Sequence, residues 1–321
     1  MILSVAFILI GFFLLLKGGD YLVEGAVSIA RILRLSPMVI GLTVVGFGTS
    51  APELLVSTEA ALAGSPGIAI GNVVGSNIAN IGMILGVTGL ICLIPAKRET
   101  LFYDMPYMLA GVVLLTFAGM SGTIERWMGI CLLAFLATYV VWEVYHSRKH
   151  PDPEAEASLA EFRQHGIWMA LLICVLSGAA LAYGADLLIR GASDVAMRLG
   201  EALGVGHGEM ERIIGLTIVA VGTSLPELFA SVMAARRGQT DMALGNIIGS
   251  VTFNILCVIG MAATVCPIQH SDKGFRFDYM YMLGIAFLLY FFMYTRRSLA
   301  RWEGAILLLC YVAYLVKTCM V

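Results

Sequence analysis

Charge is what this sequence has least of. Asp, Glu, Lys and Arg make up only 13% of its 321 residues, about half the share of a soluble domain. The net charge of −2 is too small to suggest nucleic acid or any strongly charged partner. Redox and metal signatures are equally thin. The seven cysteines (Cys92, Cys131, Cys174, Cys257, Cys266, Cys310, Cys319) form no C-x-x-C pair and sit in or beside apolar runs, where they read as small packing residues. The five histidines (His146, His150, His165, His207, His270) fall in predicted loops or at helix ends. No H-E-x-x-H is present, which removes the usual zinc-hydrolase signature.

Apolar residues fill the space. The chain is 59% hydrophobic with a mean hydropathy of +0.88, and apolar runs near the length needed to cross a bilayer core recur throughout. The expected class is an all-α membrane protein of ten transmembrane helices, near 2–34, 37–63, 68–94, 104–120, 126–146, 166–199, 210–237, 241–266, 277–295 and 300–319. The first run lacks a basic leader and has an internal counterpart, so it reads as a retained helix rather than a signal peptide. One polar, proline-bearing stretch, "HSRKHPDPEAEASLAEFRQHG", begins at His146. It divides the chain into residues 1–145, a cytoplasmic linker 146–165, and residues 166–321.

The two halves resemble each other. Gly41–Val87 aligns without a gap on Gly215–Met261 at an offset of 174, with 22 of 47 positions identical. "GDYLVEGA" (19–26) answers "GADLLIRGA" (184–192) at an offset of 166. Such a repeat constrains the fold more than any single motif. Five helices is an odd number, so the second half enters the membrane from the opposite side. An external N-terminus, with the C-terminus also outside, puts twelve Lys and Arg on cytoplasmic loops and six on outer ones, as the positive-inside rule prefers. Two inverted five-helix repeats with a midplane site are the plan of secondary transporters. The first and sixth helices are too long for the bilayer. Asp20, Glu24, Asp186, Arg190 and Asp194, in their later halves, read as interfacial side chains.

The polar residues at mid-membrane depth carry the chemistry. "GTSAPE" (48–53) and "GTSLPE" (222–227) place Glu53 and Glu227 near helix centres, where a carboxylate costs at least a few kcal/mol. It is tolerated if protonated, paired with a base, or holding a cation, and no Lys or Arg lies at that depth. Pro52 and Pro226 cannot donate to the carbonyls of Gly48 and Gly222, and the oxygens near Gly46 and Ala220 are expected to loosen too. Irregular backbone at this depth must face protein or a polar cavity. Thr49 and Ser50 share a helix face with Glu53. On the next helices, "GNVVGSNIAN" (71–80) aligns Asn72, Ser76 and Asn80, and "GNIIGSVTFN" (245–254) aligns Asn246, Ser250 and Asn254. Such a set is all oxygen, which suits hard cations such as calcium and sodium and not soft transition metals.

These paired motifs resemble those of the sodium/calcium exchanger branch of the cation/calcium antiporters. The resemblance implies a cluster of one calcium site and neighbouring sodium sites. Calcium would be held by Glu53 and Glu227 with Thr49 and Thr223. Sodium would be held by Ser50, Ser76 and the Gly46 carbonyl on one side, and by Ser224, Ser250 and the Ala220 carbonyl on the other. Asn80 and Asn254 would sit centrally, and the first and sixth helices would slide as a gating pair. The expected activity is sodium/calcium antiport in the plasma (inner) membrane, with no enzyme activity, no cofactor and no obligatory protein partner. Proton/calcium exchange by the same fold is the alternative. Two departures stand out. Asn254 occupies a position where many relatives carry aspartate, and Val251 replaces the counterpart of Asn77. The linker is too short for a large calcium-sensing domain, so no such regulation is expected.

Overall fold

Sequence punctuation and apolar runs together set the helix ends. A computed structural model describes residues 2–149, 157, 159, 162–202, 210, 214, 218, 220–269 and 275–320. The chain forms α1 (Ile2–Leu33), α2 (Pro37–Thr49), α3 (Ala51–Leu62), α4 (Pro66–Ile91), α5 (Thr100–Met120) and α6 (Arg126–Lys149). It continues through α7 (Ile167–Ala202), the short α8 (Ala220–Gly222), α9 (Leu225–Arg236), α10 (Thr240–Val265), α11 (Phe275–Arg296) and α12 (Arg301–Met320). Prolines open α2 and α4, where a missing N–H costs nothing. Ser36 caps α2 by accepting from Val39 N at 3.3 Å. Much of the predicted linker, and most of residues 211–219 of the predicted helix 210–237, lie outside the described residues.

Seven of these helices are long and apolar enough to cross a membrane, and α2 with α3 makes an eighth as a bent pair. The second predicted helix is therefore not one continuous rod. It breaks at Ser50 (φ −87°, ψ 5°), and α2 and α3 meet at 48°. Ser224 has nearly the same backbone (φ −91°, ψ 6°). The break lies just ahead of each proline. Pro52 and Pro226 thereby become first-turn residues of new helices, a position suited to a residue without a donor.

Two small sheets escaped sequence reasoning. Ile94 pairs with Leu299, and Ile268 pairs with Ile124, each in a two-residue antiparallel ladder. Ile94 and Ile268 are repeat partners at the offset of 174. Gly64 (φ 72°) and Gly238 (φ 75°) are another such pair, each taking the left-handed turn that a Cβ would oppose.

Burial separates a core from a periphery. In their apolar windows α4 and α10 are 78% buried, against 28% for α1 and α7. The α1/α7 pair lies along one side and is held together by small residues. Ser4, Gly11, Gly18 and Gly25 recur every seventh position, facing Gly191, Gly184, Ser177 and Ala170. A Cβ on Gly11 would lie 2.6 Å from the Gly184 carbonyl oxygen, and one on Gly191 would lie 2.6 Å from that of Ser4. The two backbones touch, as small-residue seams permit.

The chain ahead of α7 ties down the later half of α1. Arg31 donates to the Phe162 carbonyl at 3.1 Å, Ser28 to that of Arg163 at 3.3 Å, and His165 Nε2 meets Glu24 at 2.6 Å. Arg237, just past α9, bonds Asp20 of α1 at 2.8 Å and stacks over Phe162. Asp20 and Glu24 are thus partners in specific contacts. Elsewhere, Tyr139 of α6 donates to a second buried carboxylate, Asp104 of α5, at 3.2 Å, a cluster that no sequence motif announced.

Candidate functional site

The two helix breaks face each other. Because α3 and α9 restart at them, Glu53 and Glu227 fall in first turns, where the positive end of the helix dipole favours an anion. Both carboxylates are buried, at 2% and 1% exposure. Ser50 of the first repeat reaches across and donates to Glu227 Oε1 at 3.4 Å. No described Lys or Arg pairs with either glutamate, and among the described residues no three His, Cys, Asp or Glu side chains converge. Any cation here takes its remaining ligands from neutral oxygens.

Those oxygens are present. Thr49 Oγ1 lies 3.3 Å from the Gly46 carbonyl oxygen, 3.3 Å from Asn246 Oδ1 and 3.5 Å from Ser250 Oγ. Ser50, Ser76, Ser224 and Ser250 are all buried. Both carboxylate oxygens of Glu53, Oε2 of Glu227, the Ser224 hydroxyl, both polar atoms of Asn80 and Oδ1 of Asn254 find no hydrogen-bond partner among the described residues. Buried polar groups are nearly always satisfied, so this concentration of unpartnered oxygen marks a polar pocket between the repeats. Asn254 donates to Asn77 Oδ1 at 3.2 Å.

One detail differs from expectation. The Gly46 carbonyl is not loosened: it accepts from Ser50 N at 3.0 Å as well as from Thr49. The break falls after this hydrogen bond rather than before it. In the second repeat Ser224 N instead turns to the carbonyl of Val221 at 3.1 Å, a tighter turn beside Ala220. A second irregularity had no sequence signal. Asn80 and Asn254 each begin a wide π-helical turn, Asn80–Ile84 and Asn254–Ile259. Such bulges recur at functional sites.

Among the described residues, access is one-sided. A cavity of about 140 Å³ reaches Glu53 between Pro52, Val56 and Asn72 on one wall, Gly222, Thr223 and Pro226 on another, and Ala182, Ala185, Asp186 and Ile189 of α7. The repeat partners of the α7 residues are Leu16, Gly19, Asp20 and Val23 of α1, and there the packing is closed. A Cβ on Gly19 would lie 2.9 Å from both the Phe229 carbonyl oxygen and Met233. Val56 is 46% exposed, whereas its partner Ala230 is 1% exposed. Of the five charged residues expected at the interface, Asp186 lines the cavity and bonds Arg190 at 2.9 Å, while Asp194 bonds Arg198 at 2.9 Å and accepts from Ser4.

Comparison with known proteins places this geometry. Residues 3–145 and 169–320 match the family described as sodium/calcium exchanger protein. The chain is 38% identical to CaxA of Alkalimonas amylolytica, over 98% of each sequence. It is 34% identical to the sodium/calcium exchanger MaX1 of Methanosarcina acetivorans, over 96% of each. In structure it is similar to the sodium-calcium exchanger NCX_Mj soaked without sodium or calcium, with a TM-score of 0.82 and 30% identity over 98% of both chains.

Proposed function

The chain belongs to the sodium/calcium exchanger family, and from that premise we propose that it exchanges sodium for calcium by alternating access at the Glu53/Glu227 pocket. The carrying observation is the pair of buried carboxylates with unpartnered oxygens, enclosed by hydroxyl and amide groups. Two carboxylates alone in a dry pocket repel, and desolvating them costs several kcal/mol. One calcium ion or two sodium ions would neutralise them. The loaded site can then pass through a closed state that the empty site resists, which couples the two fluxes. A ligand shifts such an equilibrium only through differential affinity, so calcium and sodium would favour different positions of α1/α7.

In this reading calcium is held by Glu53 and Glu227 with Thr49 and Thr223. Sodium is held by Ser50, Ser76 and the Gly46 carbonyl, and by Ser224, Ser250 and the Ala220 carbonyl, with Asn80 and Asn254 central. The Gly46 carbonyl must give up its bond from Thr49 to serve. The fold is proposed as ten spans in two inverted repeats, 1–145 and 166–321, joined by a cytoplasmic linker 146–165, in the inner membrane with both termini outside. The cavity beside α7 then faces the exterior, and the Asp20–Arg237 contact seals the cytoplasmic side.

Calcium uptake into proteoliposomes, with sodium and proton gradients imposed separately, tests the coupling ion. Uptake driven by an outward sodium gradient at fixed pH supports this reading. Uptake that follows only the proton gradient replaces it with proton/calcium exchange.

A further inference from the structure

Two asparagines occupy matched places on the pocket wall, and neither belongs to the ligand set above. Asn72 Nδ2 donates to the Glu53 carbonyl at 3.3 Å and to Ser57 Oγ at 2.9 Å. Asn246 Nδ2 donates to the Glu227 carbonyl at 3.3 Å and to Ser231 Oγ at 2.8 Å. Ser57 and Ser231 are fully buried, one turn beyond the glutamates. The arrangement is the same in both repeats, residue for residue.

An amide nitrogen has two protons, and here both are used. Rotating the Asn246 amide would set its oxygen against the Glu227 carbonyl oxygen, a repulsive contact that leaves a buried donor elsewhere. The orientation is therefore fixed, and Oδ1 must face the other way, where it lies 3.3 Å from Thr49 Oγ1 of the opposite repeat. Thr49 has one proton and two strict acceptors near it, Asn246 Oδ1 and the Gly46 carbonyl. Whichever takes the proton, Ser250 Oγ at 3.5 Å can donate to one lone pair of Thr49, and the other stays open. A reversed amide would instead donate to Thr49 and occupy a lone pair that a cation needs.

We infer that Asn72 and Asn246 are positioning residues for cation binding: Ser57 and Ser231 lock their amides so that the oxygens face the pocket, and at Asn246 this keeps the Thr49 hydroxyl an acceptor toward the ion. The inference rests on the exchange reading of the site. Asn72 lines the open cavity together with Thr223, the repeat partner of Thr49.

Ser231→Ala and Ser57→Ala remove the lock without touching a proposed ligand. In proteoliposomes, the calcium concentration for half-maximal uptake is expected to rise about five- to tenfold, with the maximal rate changed by less than about twofold. In detergent, the calcium-dependent rise in Tm should shrink while the cation-free Tm stays at that of the parent. Ser231→Thr, which keeps the acceptor oxygen, should restore the half-maximal concentration. Unchanged calcium dependence in both alanine variants overturns the inference alone. So does a fall in maximal rate and cation-free Tm at constant half-maximal calcium, which is what a purely structural hydrogen bond gives. A parent protein whose Tm responds to neither calcium nor sodium overturns the exchange reading and the inference with it.

Discussion

Asp20 and Arg237 form an ion pair at 2.8 Å that has no equivalent in the other repeat. The partner of Asp20 is Asp186, which bonds Arg190 on its own helix at 2.9 Å, and the position answering Arg237 is Ala63. The pair joins α1 to the end of α9 on the closed side. A partly exposed ion pair contributes about 0.2–1 kcal/mol, enough to bias an equilibrium by up to about fivefold. Arg237→Ala should speed hydrogen exchange in residues 16–23 and 229–233 by about two- to fivefold. Exchange at the parent rate in both segments would show that the pair is not a latch.

Glu53→Gln and Glu227→Gln keep shape and remove one charge each. Either should abolish calcium uptake, a loss of at least about a hundredfold given the strength of charge-assisted ligation, in protein that elutes as a single species with unaltered helix content. Substantial uptake by either variant would remove that residue from the calcium site.

Asn254→Asp adds a third carboxylate beside Asn77, where the amide nitrogen now donates at 3.2 Å. An amide takes no proton in the accessible range, but a carboxylate does. Calcium uptake by the variant should therefore fall more steeply on acidification than that of the parent between pH 8 and pH 6. Superimposable pH profiles would place the side chain away from the ions.

The seam between α1 and α7 is tight enough to test with one methyl group. A Cβ on Gly11 meets backbone atoms, the Gly184 carbonyl at 2.6 Å and Leu188 N at 2.8 Å, which cannot swing aside as a side chain would. Gly11→Ala should slow sodium/calcium exchange by about tenfold or more, the scale of overpacking by about 1–3 kcal/mol, while the calcium-dependent rise in Tm persists. Uptake at the parent rate would mean that the two helices need not stay in contact.

The sequence carried the internal repeat, the all-helical class and the burial of Glu53 and Glu227, because each leaves a periodic or costly mark. Apolar runs locate the helices within a few residues, and a doubled "GTSxPE" with its Asn/Ser stripe has no cheap structural explanation. The remainder leaves no such mark. The π-helical turns at Asn80 and Asn254 depend on the partners of each helix. The two-residue ladders at Ile94 and Ile268 are shorter than any alternation can signal. The heptad of Ser4, Gly11, Gly18 and Gly25 was written plainly but hidden by the much louder apolar background. The difference between Val56 and Ala230 could not be inferred at all. A repeated sequence describes two equivalent halves, whereas in the structure α7 lines an open cavity and the matching stretch of α1 is tightly packed.

That body has a further consequence. At 32 and 36 residues, α1 and α7 are about 48 and 54 Å long, and they turn Leu9, Phe12, Phe13, Trp168, Leu172 and Val175 outward. Any shift along the membrane normal carries this greasy belt toward a headgroup layer and draws its ends inward. Under the exchange reading, acyl-chain length would act on the protein as a spring, with thin and thick bilayers setting different resting positions for the same chain.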